Sequence, residues 1–411
     1  MAYQLSQTQR WQTVLRGGFG LFYDLATSEA GNIATGYPFN GTAFPVSNFP
    51  LSSQDAMPPP IVPPTFANFG TLYAFDPHLR LPYTLQWNVA VEQALGSQQT
   101  VTASYIGSAG RRLLQTAAIF MPNQKYFDAQ LVSNAGTSDY DALQVQFQRR
   151  LVAGLQALAS YTWSHSIDTA SAGSLGSGSN ALTALSSSLN RGPSDFDIRN
   201  AFSAGLSYEL PFPKTNTVER AVLEGWSAES VVQARSGPPV NLYYSGAPLL
   251  SNGFFISVRP NVTGNPFYRY GPQYPGGKAF NSDAFAPPPI NPTTNATLSQ
   301  GDLPRNALRG FGAIQWDFAV HREFPIHESV KLQFRAELFN ILNHPNFGQP
   351  IGDLGTPPIG GNPAVPNPQF GRSIQTLGQS LSGGNLGNGA FDPLYQIGGP
   401  RSVQLALKLT F

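Results

Sequence analysis

The chain is predicted to be all-β, an antiparallel up-and-down portion of a transmembrane β-barrel with about ten long strands, short periplasmic turns and long extracellular loops. Three observations predict this. First, Ser402 to Phe411 alternates, with Val403, Leu405, Leu407, Leu409 and Phe411 on one face and Ser402, Gln404, Ala406, Lys408 and Thr410 on the other. A period of two is a strand with one apolar and one polar face, and no covering segment follows it. Second, charged residues are only 11% and aromatics reach 12%, yet the sequence has no unbroken apolar run of about 18 residues that could span as a helix. Third, short and long connections alternate along the chain.

Taken in order, the strand candidates are Trp11 to Asp24, Pro82 to Ala94, Gln99 to Leu114, Asp139 to Arg150 and Leu155 to Ile167, then Phe196 to Phe212, Gly225 to Gly237, Phe311 to Phe324, Val330 to Leu342 and Ser402 to Phe411. Most run about 10 to 14 residues, the length that crosses a bilayer at a tilt of about 45°. In the second, Leu85, Trp87, Val89 and Val91 alternate with Gln86, Asn88 and Glu92. In the fourth, Leu143, Val145 and Phe147 alternate with Gln144, Gln146 and Gln148; in the ninth, Val330, Leu332, Phe334, Ala336 and Leu338 alternate with Lys331, Gln333, Arg335 and Glu337. A charge at mid-bilayer on the lipid face costs about 2 to 4 kcal/mol, so these charges belong on a watery lumen.

Short connections lie at Gly96-Ser97, Ala153-Gly154 and Ile326-His327, with a somewhat longer one from Pro213 to Glu224. The long ones, Leu25 to Leu81, Gln115 to Ser138, Asp168 to Asp195, Pro238 to Gly310 and Asn343 to Arg401, hold most of the 36 prolines and read as structureless loops on one side of the sheet. With about ten strands the first runs outward and the last inward, placing Phe411 at the periplasmic side. All five tryptophans, Trp11, Trp87, Trp163, Trp226 and Trp316, fall in strand candidates, with Tyr23, Tyr83, Tyr161, Tyr208, Phe212 and Phe324 nearby. They read as interfacial aromatics, or as rings that simply favour strands; Trp87 and Trp316 sit nearer the middle of their spans.

Net charge is +1, which gives no electrostatic reason for a nucleic-acid partner. With no cysteine, disulfides, thiolate metal sites and cysteine nucleophiles are excluded. The start, Met1 to Arg10, lacks a basic and then apolar leader, so a chain bound for the outer membrane is expected to have its beginning elsewhere.

Several segments resemble the barrel of TonB-dependent receptors of the Oar-like type. They are Leu15 to Asp24 (LRGGFGLFYD), Gln86-Trp87-Asn88, Ala103 to Ser108 (ASYIGS), Asp141 to Gln144, Ala159 to Ser166 (ASYTWSHS), Arg191 to Arg199 (RGPSDFDIR), Phe334 to Asn340 and Asn343 to Gly348. The resemblance spans the chain. It implies an outer-membrane receptor of about 22 strands whose carboxypeptidase regulatory-like domain and plug precede the barrel. Residues 1–411 then correspond to the carboxy-terminal portion of that barrel, without signal peptide, regulatory-like domain or plug. The implied function is uptake of an unidentified substrate, with contact to the TonB complex only through the missing plug region. Val403, Leu405, Leu407, Leu409 and Phe411 match the family's signal for the barrel assembly machinery; they equally read as lipid contacts, and both can hold. Other partners are outer-membrane lipid and no nucleic acid. The alternatives are a self-contained outer-membrane pore or adhesin, and a soluble secreted all-β binding protein with packed sheets.

No enzyme chemistry is legible. His78, His165, His321, His327 and His344 lack ligand spacing. Asp195 and Asp197 with Arg191 and Arg199 read as a local salt-bridge group rather than an acid-base pair or calcium loop. The run Gly173 to Ser179 carries neither a phosphate loop nor a nucleophile elbow around Ser177, where Leu175 and Ser179 replace the needed glycines. Loop aromatics Phe39, Phe44, Tyr243, Tyr244, Phe254, Phe255 and Tyr268 are candidate ligand contacts, or pack the loops on one another. No cofactor is expected.

Overall fold

Alternating segments become strands because each buries or presents one face without breaking the ladder. The structure, a computed structural model, describes residues 1–8, 10–24, 37–41, 49–63, 71–120, 128–171, 190–211, 224–250, 254–327, 330–381 and 398–411. Phe44, Phe212, the Gly173 to Ser179 run and most of the Pro213 to Glu224 connection lie outside these residues.

Eleven strands form one path: β1 Ala2–Ser6, β2 Thr13–Tyr23, β3 Tyr83–Leu95, β4 Gln99–Phe120, β5 Asp128–Val152, β6 Leu155–Asp168, β7 Asn200–Glu209, β8 Trp226–Arg235, β9 Ala313–His327, β10 Val330–Phe339 and β11 Ser402–Thr410. Each pairs antiparallel with the next in sequence. The up-and-down order therefore collects all long connections at one end, as the sequence predicts.

Two expectations need correction. β1 is an eleventh strand ahead of the expected first; its five residues, AYQLS, are too short for periodicity to register. It is antiparallel to β2 and so runs inward, parallel in sense to β11. The connection expected from Gln115 to Ser138 is largely strand: β4 and β5 are 22 and 25 residues long, with Thr71–Phe75 parallel to the outer part of β5. Bulges between Gly110 and Gln115 shift the register there, which blurred the alternation.

Register aligns the apolar faces across the sheet. Leu15 opposes Val91, Val91 opposes Ala103, Ala103 opposes Val145, and Val145 opposes Tyr161. Farther along, Phe318 opposes Leu338, and Leu338 opposes Val403. Gln146, Ser160, Ser203, Gln233, Gln315, Arg335 and Glu337 share the other, predominantly polar face. A one-residue slip anywhere would exchange the two. On the apolar face Trp87 lies across Gly107 of β4, where an added Cβ would fall 2.2 Å from its Cε2; the ring covers the strand that glycine leaves bare. The turn from β5 to β6 needs only Ala153 and Gly154, both with positive φ (51° and 79°), the combination that matches strand twist in a two-residue hairpin.

Where the long connections are described, they are not structureless. Those after β8 and β10 pack together around Val240, Leu242, Tyr244, Val258, Phe280, Phe285, Leu303, Leu308, Leu354 and Phe370, a common apolar core at the long-loop end. Short antiparallel pairs stiffen it, including Tyr244–Leu250 with Phe254–Val258 and Tyr268–Tyr270 with Lys278–Phe280. Phe267 stacks on Phe285 at 5.7 Å, and Phe285 meets Phe370 edge-on at 6.1 Å. Such a core has no period to read, because its members come from turns scattered over more than a hundred residues.

Candidate functional site

The chemistry concentrates at two places, the polar face of β8 to β10 and the junction where the loops meet the sheet. On the polar face Arg335 is central: Nη2 reaches Glu229 Oε2 at 2.8 Å and Nε reaches Glu337 Oε1 at 2.7 Å. His321 Nδ1 lies 3.7 Å from Glu229 Oε1, and Lys331 pairs with Glu323 at 3.5 Å. These groups are a third or so exposed to about half exposed, apart from the more buried His321 and Glu337, so each pair is weak alone; together they make a polar wall.

At the loop junction lies a clasp. The segment after β6, Asn190 to Arg199, is gripped by Leu303 to Arg309, which precedes β9. Asp197, 1% exposed, accepts from Arg309 Nη2, from the Ser166 backbone N–H at 2.8 Å and from His165 Nδ1 at 3.2 Å, while its own carbonyl accepts from Arg309 Nη1. Arg305 pairs with Asp168, and Asn306 donates to Asp195 Oδ1 at 2.6 Å and to the Pro193 carbonyl at 2.8 Å. Burial pushes the Asp197 carboxyl up, but the Arg309 guanidinium, the Ser166 N–H and His165 outweigh it and hold the group below the ordinary carboxylate range.

Arg309 also joins clasp to core, since its N–H donates to the Tyr268 hydroxyl at 3.0 Å and Leu308 is 1% exposed within the core. Lys278 closes that side: its ammonium donates to the Gly310 carbonyl at 2.9 Å and lies 5.3 and 5.1 Å from the Tyr268 and Phe311 ring centres. Burial lowers its pKa. The second loop is tied to β9 by asparagines: Asn346 exchanges hydrogen bonds with Ile314, and Asn340, in a left-handed conformation (φ 47°), donates to the Gly399 and His344 carbonyls.

The expected local salt-bridge group is therefore corrected. Asp195 and Asp197 bind partners more than a hundred residues away, and Arg191 reaches Asp139 at 2.7 Å. Sequence reasoning missed Arg305, Asn306 and Arg309; the available signal was two arginines interleaved with Leu303 and Leu308 just ahead of β9.

The other expected residues are placed as follows. Val403, Leu405, Leu407 and Leu409 lie on one face of β11, opposite Leu338, Ala336, Phe334 and Leu332, and are exposed; Phe411 follows the strand, 91% exposed. Trp11 precedes β2 and Trp226 begins β8, both at the short-turn end, and Trp163 lies toward the long-loop end of β6. Trp87 and Trp316, expected nearer the middle of their spans, are instead the fifth residue of β3 and the fourth of β9 counted from the long-loop end, both on the apolar face, with the Trp316 indole donating to Ser230 Oγ at 2.9 Å. Near Trp226, Arg322 lies 5.7 Å from that ring and 4.3 Å from Phe324. Of the loop aromatics, Tyr244 is buried in the core with Tyr268 packed against it, Tyr243 is half-buried, and Phe39 and Phe255 are exposed. Among the described residues no group of three His, Asp or Glu side chains is arranged to hold a metal ion.

No curated protein matches the chain. Among solved structures it is similar to the outer membrane transporter YddB from Escherichia coli, with 11% identity, TM-score 0.44, and 81% of this chain and 35% of that one covered. It is also similar to BauA, the ferric preacinetobactin receptor from Acinetobacter baumannii, with 11% identity, TM-score 0.40, and 100% and 36% covered. A third is FpvA of P. aeruginosa in a pyoverdine–iron complex, with 7% identity, TM-score 0.41, and 100% and 32% covered. The chain thus spans about a third of the length of these structures. A family model, the outer membrane beta barrel domain, matches residues 1–380. The chain belongs to that family of outer-membrane β-barrels, and its place is the outer membrane of a Gram-negative cell.

Proposed function

We propose that residues 1–411 are the carboxy-terminal portion of the barrel of a TonB-dependent receptor that takes up an as yet unidentified substrate. The observation that carries this reading is the strand count. Among the described residues, eleven strands with β1 and β11 both running inward could close on themselves only by a parallel pair, whereas single-chain bacterial barrels are antiparallel and even-numbered. Partner strands from elsewhere in the barrel meet that need, and a self-contained pore does not. Further support comes from the folded loop core at one end, which supplies a shaped surface at the mouth, and from the Oar-like segments. In this reading Trp11 and Trp226 meet headgroups at the short-turn end, Trp87, Trp163 and Trp316 lie toward the long-loop end, and the β11 face with Phe411 serves both lipid contact and recognition by the assembly machinery. TonB contact would come through the plug, not through this portion.

The test is the genomic reading frame immediately upstream. An in-frame plug and signal peptide support the receptor. A stop codon there, with the chain alone showing heat-modifiable, protease-resistant migration in lipid, favours the self-contained pore instead.

A further inference from the structure

Beyond its apolar band, the lipid-facing side changes character at the long-loop end. Two charged residues of β5, Arg149 and Asp141, bound the uncharged stretch of that side, with Asp139 two residues farther out: about eight residues apart, at about 3.3 Å per residue and a tilt near 45°, they are separated by about 19 Å, somewhat less than the height of a barrel's apolar band. At the outer limit Asp139 is held by two guanidinium groups, Arg111 Nη2 at 2.6 Å from Oδ1 and Arg191 Nη2 at 2.7 Å from Oδ2. One carboxylate between two arginines leaves a positive charge uncompensated. Arg112 adds another: it occupies the β4 bulge with φ 56°, is exposed, and lays its guanidinium 5.6 Å over the Tyr83 ring. The next carboxylate on this side, Asp141, accepts from the Tyr105 hydroxyl at 2.5 Å and keeps its charge, so three guanidinium groups face two carboxylates and one positive charge is left over. Tyr83 and Tyr23, 6.3 Å apart, flank the group where amphipathic rings meet headgroups.

We propose that Arg111, Arg112 and Arg191 form a headgroup site, on the outside of the barrel, for a phosphate-bearing lipid of the outer leaflet. Guanidinium forks bind phosphate oxygens in pairs, and a cluster at the membrane surface holds anionic headgroups while the acyl chains lie along Leu85, Val89 and Leu143 below. Arg111 and Arg191 are about two-fifths exposed; Arg111 Nη1 is spent on the Gly110 and Ser138 carbonyls and Arg191 Nη1 reaches Thr137 Oγ1 at 3.4 Å, so the donors left for a ligand are Nε and the second Nη2 hydrogen of each, together with the Arg112 guanidinium.

The test uses the full-length protein in detergent, with native mass spectrometry reading the binding of diphosphoryl lipid A, the same glycolipid without phosphates, and inorganic phosphate. The expected result is that R112Q/R191Q loses about 10- to 30-fold in affinity for diphosphoryl lipid A. R149Q, at the opposite end, keeps it. R112K/R191K, which keeps the charge but not the forks, loses less than the glutamine variant and shows that loss there is not misfolding. Equal binding by R112Q/R191Q and the unaltered protein, equal binding of the phosphate-free glycolipid, or displacement by micromolar inorganic phosphate would each overturn the proposal. The proposal rests on this side facing lipid; if that failed instead, Leu85, Val89 and Leu143 would be open to water whatever stood at the arginine positions.

Discussion

Replacing Asp197 by alanine removes the acceptor at the centre of the clasp and leaves Arg309 facing a hole. Deleting one partner of a buried ion pair costs about 3 to 5 kcal/mol. Arg309 is 28% exposed and keeps its bond to the Asp197 carbonyl, which lets water share its charge and moves the expectation to about 2 to 3 kcal/mol. The loss is local, because the strands are held by their own ladders. Native-state hydrogen exchange on the full-length protein reads it directly: Leu303 N–H bonds the Pro260 carbonyl, Arg309 N–H the Tyr268 hydroxyl, and Gly310 N–H the Pro238 carbonyl. These amides should exchange about 30- to 150-fold faster in D197A, while those of β5 and β6 stay protected. In D197A/R309A the penalty should fall short of the sum of the single changes, because no buried charge is left without a partner. The acid response has a defined sign. Since the folded carboxyl is held below its unfolded value, its contribution is fully present above about pH 4 and is lost as pH falls through the folded value. Unchanged exchange in D197A, or a clasp that tightens as the pH falls from 4 to 2, would refute the reasoning.

Three further outcomes follow from the same geometry. L405R places a cation on the apolar face of β11 and should cost about 2 to 4 kcal/mol in urea-driven folding into vesicles, whereas Q404R, one residue away on the polar face, should cost little. G107A drives a Cβ to 2.2 Å from the Trp87 ring; lifting that ring should cost about 1 to 3 kcal/mol and change the near-ultraviolet circular dichroism, and an unaltered spectrum would show that the contact is absent. L242A empties a position that is 1% exposed in the loop core and should cost about 2 to 5 kcal/mol there, seen as faster protease cutting of the long connections with the strands intact.

The strands were legible because a sheet with one lipid-facing side writes its period of two into every crossing. The segment around Leu143, Val145 and Phe147 and the terminal strand need no context to be read. β1 was not, since Tyr3 and Leu5 alone define no period. The outer parts of β4 and β5 were hidden by the bulge at Arg111 and Arg112, which breaks the alternation where the hairpin leaves the apolar band. The loop core and clasp were illegible for a different reason. Leu242, Phe280 and Leu354, or Asp197 and Arg309, meet only after the chain has folded, and single sequences carry no mark of such distant pairing. The segment Arg191 to Arg199 did stand out, but its charges suggested partners among themselves, because nearby charges are the ones a reader sees.

The most direct measurement is a cysteine scan along β10 in the full-length protein in its membrane, to which residues 1–411 contribute no native cysteine. Cysteines replacing Leu332, Phe334, Ala336 and Leu338 should resist a water-soluble maleimide and be quenched by a lipid-borne quencher once labelled. Those replacing Lys331, Gln333, Arg335 and Glu337 should show the opposite behaviour, giving a period of two across the strand. Equal water access on both faces would contradict a sheet that turns its apolar side to lipid.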